Sequence, residues 1–359
     1  MWRVSPIDLK KACRNPVMPL SSSAYAVAAM GVLVVGCSAP PTDSASARSR
    51  STPPATSPAK TSAQTASPGH PPRVTLTSSM APFTLPAAVS RPTVFAAGKG
   101  LLIAGGLTAA DNTTQVILRI DLTRGTVDQA GRLPIPVHDA AGALVEGRDL
   151  VFGGGSSAAT SAVQDVTPGV SPRVISHLPQ PRADLVAISN ANVGYVLGGF
   201  DGTQGSTTIL RTQDGRTFAV MGSLPIPVRY PAVATSAGSI WLFGGEHEGK
   251  EVTDVQRIDL TTGHGSVTGH LPRPLAHAGA FTLGGAVFVV GGRTGGTATD
   301  DVMRFDPANV DLAAAGHLPA ARSDFGIAVV GGTAYLVGGE DPKPVDAVIQ
   351  VRAQAGGRP

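Results

Sequence analysis

Six polar residues recur at one position of a repeating pattern. Arg91, Asp139, Asp184, Tyr230, His277 and Asp324 each stand five residues beyond the proline of a Leu-Pro step. Three carboxylates, an imidazole, a phenol and a guanidinium make a set that can hold and move protons. Gathered at one place, they could also orient a small polyol, a sugar or a cation. The competing reading is structural: the groups satisfy strand-end amides and pair with nearby arginines such as Arg182, Arg229 and Arg322. Which reading applies depends on the elements that bring the six together.

Those elements are set by a second regularity. Every Leu-Pro step is followed, 20 residues after its leucine, by a Gly-Gly doublet, from Leu85 to Gly105-Gly106 through Leu318 to Gly338-Gly339. Six such units follow one another, with the doublets 48, 45, 46, 47 and 47 residues apart. Self-similarity at this period marks a repeat architecture, in which each unit buries its apolar face only against its neighbours. Between Leu-Pro and Gly-Gly lie two short apolar runs parted by a small polar turn, such as Ala278–Leu283 and Ala286–Val290 around Gly284-Gly285. Runs this short, bounded by glycine, predict strands buried on both faces and are too short for helices.

After each doublet a polar loop of about nine to twelve residues leads to a third strand. In three units that strand carries Arg-apolar-Asp: Arg119-Ile120-Asp121, Arg257-Ile258-Asp259 and Arg304-Phe305-Asp306. Turns such as Thr261-Thr262-Gly263 then open a hairpin into a fourth strand that ends at the next Leu-Pro. Four antiparallel strands in each of six units predict an all-β, six-bladed β-propeller. The first Leu-Pro has no earlier unit to own it, and the last unit stops at its third strand near Ala347–Val351. The stretch Val74–Leu85 is therefore expected to complete the sixth blade and close the ring. In such a disc the Leu-Pro connections and the loops after the doublets share one face, which places the six polar residues around the mouth of the central channel.

Other chemistry-bearing patterns point less far. Glu246-His247-Glu248 with Glu251 is the densest acidic and histidine group in a loop after a doublet, but it lacks the spacing of a metal motif and reads as a solvated turn, as does Asp300-Asp301. The doublets are not phosphate loops, having no following helix and no Lys-Ser/Thr, and there is no Gly-x-Ser-x-Gly or His-Glu-x-x-His. No metal and no cofactor is expected.

The N-terminus reads as an address. Arg3, Lys10, Lys11 and Arg14 precede an apolar run from about Ala24 to Val35, and Val34-Val35-Gly36-Cys37 then offers small residues before a cysteine. This predicts a secretory signal over 1–36; the run is shorter than the ~20 residues of a membrane span. The last four residues resemble a bacterial lipobox, which implies lipidation, palmitate included, at Cys37 and a chain anchored to the outer face of the cell membrane. The only other cysteine is Cys13, inside the leader, so the exported part has no disulfide to rely on. Residues 37–72, rich in Ser, Thr, Pro and Ala, are expected to be a disordered tether, with the propeller occupying 73–359. Beyond the leader, 24 Lys and Arg balance 24 Asp and Glu, so the positive net charge of the whole chain belongs to the leader, and nucleic acid is excluded as a partner.

The Gly doublet after an apolar strand, six times over at this period, resembles the kelch-repeat family. The resemblance spans roughly Arg73 to Arg352. It departs from kelch units in the outer strands, where an expected tryptophan is replaced by Val127, Val174, Phe218, Val267 and Leu312. The resemblance implies a binding or scaffold module, whose expected partner is another extracytoplasmic protein or a cell-envelope component. It also implies an alternative, a carbohydrate-processing enzyme or sugar-binding protein of the sialic-acid mutarotase type, with Asp139, Asp184, His277 or Asp324 as proton carriers. Galactose oxidase chemistry, which needs a tyrosine cross-linked to a cysteine, is excluded because the propeller region 73–359 has no cysteine.

Overall fold

The computed structural model describes residues 74–354. The expected signal segment, Cys37 and the expected tether lie outside the described residues. Among those described there is no helix, and six four-stranded antiparallel sheets carry the fold. The innermost strands are Thr93–Ala97, Ala141–Val145, Ala183–Asn190, Ala232–Ser236, Gly279–Leu283 and Gly326–Val330, one for each of blades 1 to 6. In blades 1, 4, 5 and 6 the second strand is buried at every position, as in Gly100–Ala104 and Ala286–Val290, because its two faces meet the neighbouring blades. The fourth strands, such as Thr126–Arg132, are largely exposed. The protein is thus the six-bladed β-propeller that the repeat predicts.

The sixth blade closes as the order of the units requires. Thr75–Thr84 pairs with Ala347–Gln354, from Thr75 opposite Gln354 to Thr84 opposite Ala347, so the blade joins the first described strand of the chain to the last. A register shift falls between the third and fourth strands of every blade at the equivalent place, between Ile117 and Leu118 in blade 1 and between Met80 and Thr84 in blade 6. Bulges there increase the twist that each blade needs to fan from axis to rim.

The doublets are where blades lock together. The second glycine of each donates its N–H to a carbonyl in the connection entering the next blade: Gly106 to Val137 at 2.8 Å, Gly154 to Arg182 at 2.8 Å, Gly245 to Leu275 at 2.8 Å, and, across the closure, Gly339 to Val89 at 2.9 Å. The first glycine presses on the same oxygen. A Cβ at Gly244 would lie 2.1 Å from the Leu275 carbonyl, and its φ of 61° is left-handed, so no other residue fits without displacement. The leucine of the next Leu-Pro packs under the doublet, as Leu271 does beneath Gly244. All six of these leucines are buried. The loops between a doublet and the third strand are seven to nine residues long, shorter than the nine to twelve read from the sequence, because the third strands begin earlier than their Arg-apolar-Asp signatures.

Closure by the first strand makes a separable claim. Deleting 74–85 removes a full ladder and the apolar contacts of Leu76, Ala81 and Phe83, and is expected to lower stability by several kcal/mol in denaturant unfolding. Deleting 40–70 should leave the midpoint nearly unchanged. Equal effects of the two deletions would contradict the assignment.

Candidate functional site

The six residues selected by spacing do converge. Arg91, Asp139, Asp184, Tyr230, His277 and Asp324 together line one cavity of about 130 Å³ at the mouth of the channel. Each stands two residues after the carbonyl that its neighbour's doublet grips, so the clasp between blades also sets the height of the ring.

Their backbone is as regular as their spacing. All six have positive φ, between 51° and 60°. Left-handed backbone costs an ordinary L-residue roughly 1 kcal/mol or more, least for Asp, so Arg91, Tyr230 and His277 are held there against preference. Hydrogen bonds do the holding. The N–H of Asp184 donates to the Asp139 carbonyl, Tyr230 to Asp184, His277 to Tyr230, Asp324 to His277 and Arg91 to Asp324, at 2.6 to 3.1 Å. This belt runs through five of the six steps around the axis. Between blades 1 and 2 side chains bridge instead, with Arg91 Nη1 donating to Asp139 Oδ2 at 3.2 Å.

A second tier surrounds the first. The residue after each doublet is Leu107, Gly155, Phe200, Glu246, Arg293 or Glu340, and most of these bridge to the residue just before a ring member, as Glu246 does to Arg229 and Glu340 to Ser323. This tier is charged over blades 4 to 6 and uncharged over blades 1 to 3. The sequence does not mark it as a tier: Glu246 stands in one acidic run with His247 and Glu248, and Arg293 and Glu340 belong to no motif. The available signal was its fixed place directly after the doublet.

His277 is the best-held member. Its Nδ1 meets Asp324 Oδ1 at 2.6 Å and its Nε2 meets Glu246 Oε1 at 3.0 Å, while its ring stacks on Tyr230 with centroids 4.0 Å apart. A neutral imidazole has one donor, and both partners here are carboxylates, so the arrangement demands the imidazolium. Burial opposes that charge, but the hydrogen bonds to Asp324 and Glu246 outweigh it and push the imidazole up to about 9. Asp324 is buried too, yet His277, Arg293 and Arg91 hold its carboxyl below the ordinary range. Arg293 Nη2 reaches Asp324 Oδ2 at 2.7 Å and also pairs with Glu340.

The opposite side of the mouth differs. Asp139 is buried beside Asp184 and Asp324, and its carboxyl is pushed up to about 7 despite Arg91. Tyr230 Oη is 3.5 Å from Asp139 Oδ2, and burial and the neighbouring carboxylates raise the phenol, keeping it protonated. Asp184 has Arg229, whose Nε and Nη2 both lie 2.6 Å from its Oδ2 and whose guanidinium stacks over Phe200.

Of the three arginines expected to pair with the ring, only Arg229 does. Arg182 donates to the carbonyls of Thr208 and Gly198, and Arg322 to those of Gly338 and Ala321, because both lie in the buried connection beside a doublet. The acidic loop disperses: Glu246 turns inward to His277, His247 Nδ1 bonds the Pro227 carbonyl, and Glu251 accepts from the amides of Gly295 and Gly296. Asp300 and Asp301 instead meet His317, with candidate ligand atoms within 4.8 Å of one another, a grouping that sequence spacing did not show. Arg273 already pairs with Asp301.

The KLHDC2/KLHL20/DRC7 Kelch-repeats domain matches residues 167–339, from the end of blade 2 to the last doublet. Over that stretch the repeats are similar to those of that domain, and the fold of the molecule is the β-propeller described above. It is similar to a solved structure titled "Structure of YjhT", with a TM-score of 0.65 and 18% identity over 76% of this chain and 99% of that one, a likeness of fold. No curated protein matches the sequence.

The His277 clamp has a pH signature. Its raised value means that its stabilisation is complete below the ordinary 6.5 and is lost as pH rises through about 9. The loss should be on the order of 3 kcal/mol, and His277→Ala should abolish it in unfolding measured across that range. Asp139, raised from 3.8, gives a separate decline between about pH 4 and 7. A wild-type profile that is flat from pH 7 to 10 would refute the clamp.

Proposed function

We propose that this protein is a binding module of the cell envelope. A lipid on Cys37 holds it to the outer face of the membrane, residues 37–72 act as a tether, and the channel-mouth face receives another extracytoplasmic protein or a cell-envelope component. The observation that carries this reading is how fully the mouth is engaged with itself. His277, Asp324, Arg293, Glu340, Arg229 and Asp184 are tied into ion pairs. The cavity they leave, about 130 Å³, is well below the roughly 300 Å³ at which small-molecule sites begin. Loops of seven to nine residues carry no lid to enclose a substrate. A broad, rigid face with a small charged dimple suits a macromolecular partner.

One observation favours a second reading, a carbohydrate-processing site. Asp139, with its carboxyl near 7 and the Tyr230 hydroxyl beside it, has the protonation behaviour of a general acid or base.

Thermal shift with a panel of sugars and divalent metals separates the two. The module reading predicts no shift with any of them, and His277→Ala and Asp184→Asn each less stable by roughly 1–3 kcal/mol through partners left unpaired. A sugar-dependent shift that disappears in both variants, with their stability intact, would favour a carbohydrate site, enzyme or sugar-binding protein, instead. For the anchor, Cys37→Ala should move the protein out of the detergent phase; equal partitioning with an intact leader would mean an uncleaved anchor.

A further inference from the structure

The charges around the mouth do not balance, and the imbalance has a location. Five carboxylates meet there, on Asp139, Asp184, Glu246, Asp324 and Glu340. They face four cations, Arg91, Arg229, Arg293 and the imidazolium of His277. Over blades 4 to 6 the second tier supplies Arg293, which serves Asp324 and Glu340 together. Over blades 2 and 3 the same tier offers Gly155 and Phe200, which carry no charge. The missing cation is therefore missing beside Asp139.

Everything that faces Asp139 agrees. Arg91, its one charged cationic partner, is divided among Asp139, Asp324 and Glu340, at 3.2 to 3.5 Å. His138 Nε2 lies 3.6 Å away, but burial and then Arg91 lower that imidazole, so it is neutral near pH 7. Tyr230 contributes a neutral hydroxyl, and Asp184 and Asp324 add negative charge. Arg182 and Arg322, the other buried guanidiniums nearby, are turned to backbone carbonyls. Asp139 and Asp184 both border the cavity, and the Tyr230 ring forms part of its wall.

We propose that the mouth receives an alkylammonium, the end of a lysine side chain presented by the partner, which seats between Asp139 and Asp184 and completes the charge of the ring. This inference rests on the binding-module reading and names the partner's chemistry. A compact ammonium on an aliphatic stem suits the cavity: three N–H donors meet carboxylate oxygens while the stem lies along Tyr230. Binding is coupled to a proton. The arriving cation favours the ionised form of Asp139, so the proton that burial keeps on that carboxyl near pH 7 leaves to solvent as the ammonium enters.

The test is calorimetry of n-butylammonium with the purified protein at pH 7, in two buffers of different ionisation enthalpy, with butyrate and a methyl galactoside as comparison probes. Release of about half a proton per site is expected, since a group with a value near the working pH is half protonated. Affinity should rise between pH 6 and pH 8, and butyrate should not bind. Asp139→Asn should weaken butylammonium by about tenfold or more and remove the proton release. Asn tolerates the left-handed backbone at this position, and a single cooperative melt at pH 6, no lower than that of the wild type, would show that the variant folds. Butylammonium binding without proton release, or equal affinity in Asp139→Asn, would overturn the proposal. Silence with all three probes would overturn it alone, leaving the module reading to the thermal-shift panel. Galactoside binding lost in Asp139→Asn would overturn both.

Discussion

The interaction on which the rest of this molecule depends is the grip of a glycine doublet on one carbonyl of the next blade. A propeller blade cannot bury its faces alone, so adjacent blades must approach at a fixed distance and tilt. Here that approach is fixed by a backbone contact too close for any Cβ, with an N–H of the second glycine on the same oxygen that the first glycine touches. The contact repeats at every interface, including the one made when Gly338 and Gly339 of the last blade meet Val89 of the first. With no cysteine among residues 38–359, the ring is closed by this contact and by the pairing of its first and last strands.

The functional geometry follows from the same constraint. Two residues past the gripped carbonyl the chain must turn from the connection into the innermost strand, and it does so in a left-handed conformation at all six positions. The belt of hydrogen bonds between successive blades sustains that backbone and turns six side chains toward the axis. A set of ionisable groups so confined cannot each choose its own charge. His277, trapped between two carboxylates, becomes a lasting cation, while Asp139, without a cation of its own, stays near the balance point of its proton. Strain in the backbone and asymmetry in the charges thus have one source, the packing of blades around a narrow channel.

Much of this was legible because the clasp is local in sequence. The leucine under one doublet, the connection that the same doublet grips and the ring residue lie within a few positions of each other, so the constant offset of Leu-Pro and Gly-Gly reports the fold, and the fifth residue past each proline reports the mouth. The second tier was hidden for the opposite reason. Glu246, Arg293 and Glu340 act on ring members from other units, and nothing in a single repeat says that the residue after a doublet faces the ring of the next blade. The same distance effect misassigned Arg182 and Arg322. They look like natural partners for aspartates two residues away, but the left-handed backbone at Asp184 and Asp324 goes with an arginine bonded to a doublet carbonyl and an aspartate at the channel mouth.

Amide hydrogen exchange by NMR tests the central claim most directly. If the clasp and the belt hold the blades together, the amides of Gly106, Gly154, Gly245, Gly292 and Gly339, and of Arg91, Asp184, Tyr230, His277 and Asp324, should exchange as slowly as those of the buried second strands. The amide of Asp139, the one ring N–H that takes no part in the belt, should exchange markedly faster. Ring and doublet amides that exchange as readily as exposed hairpin turns such as Gly249 would contradict the account.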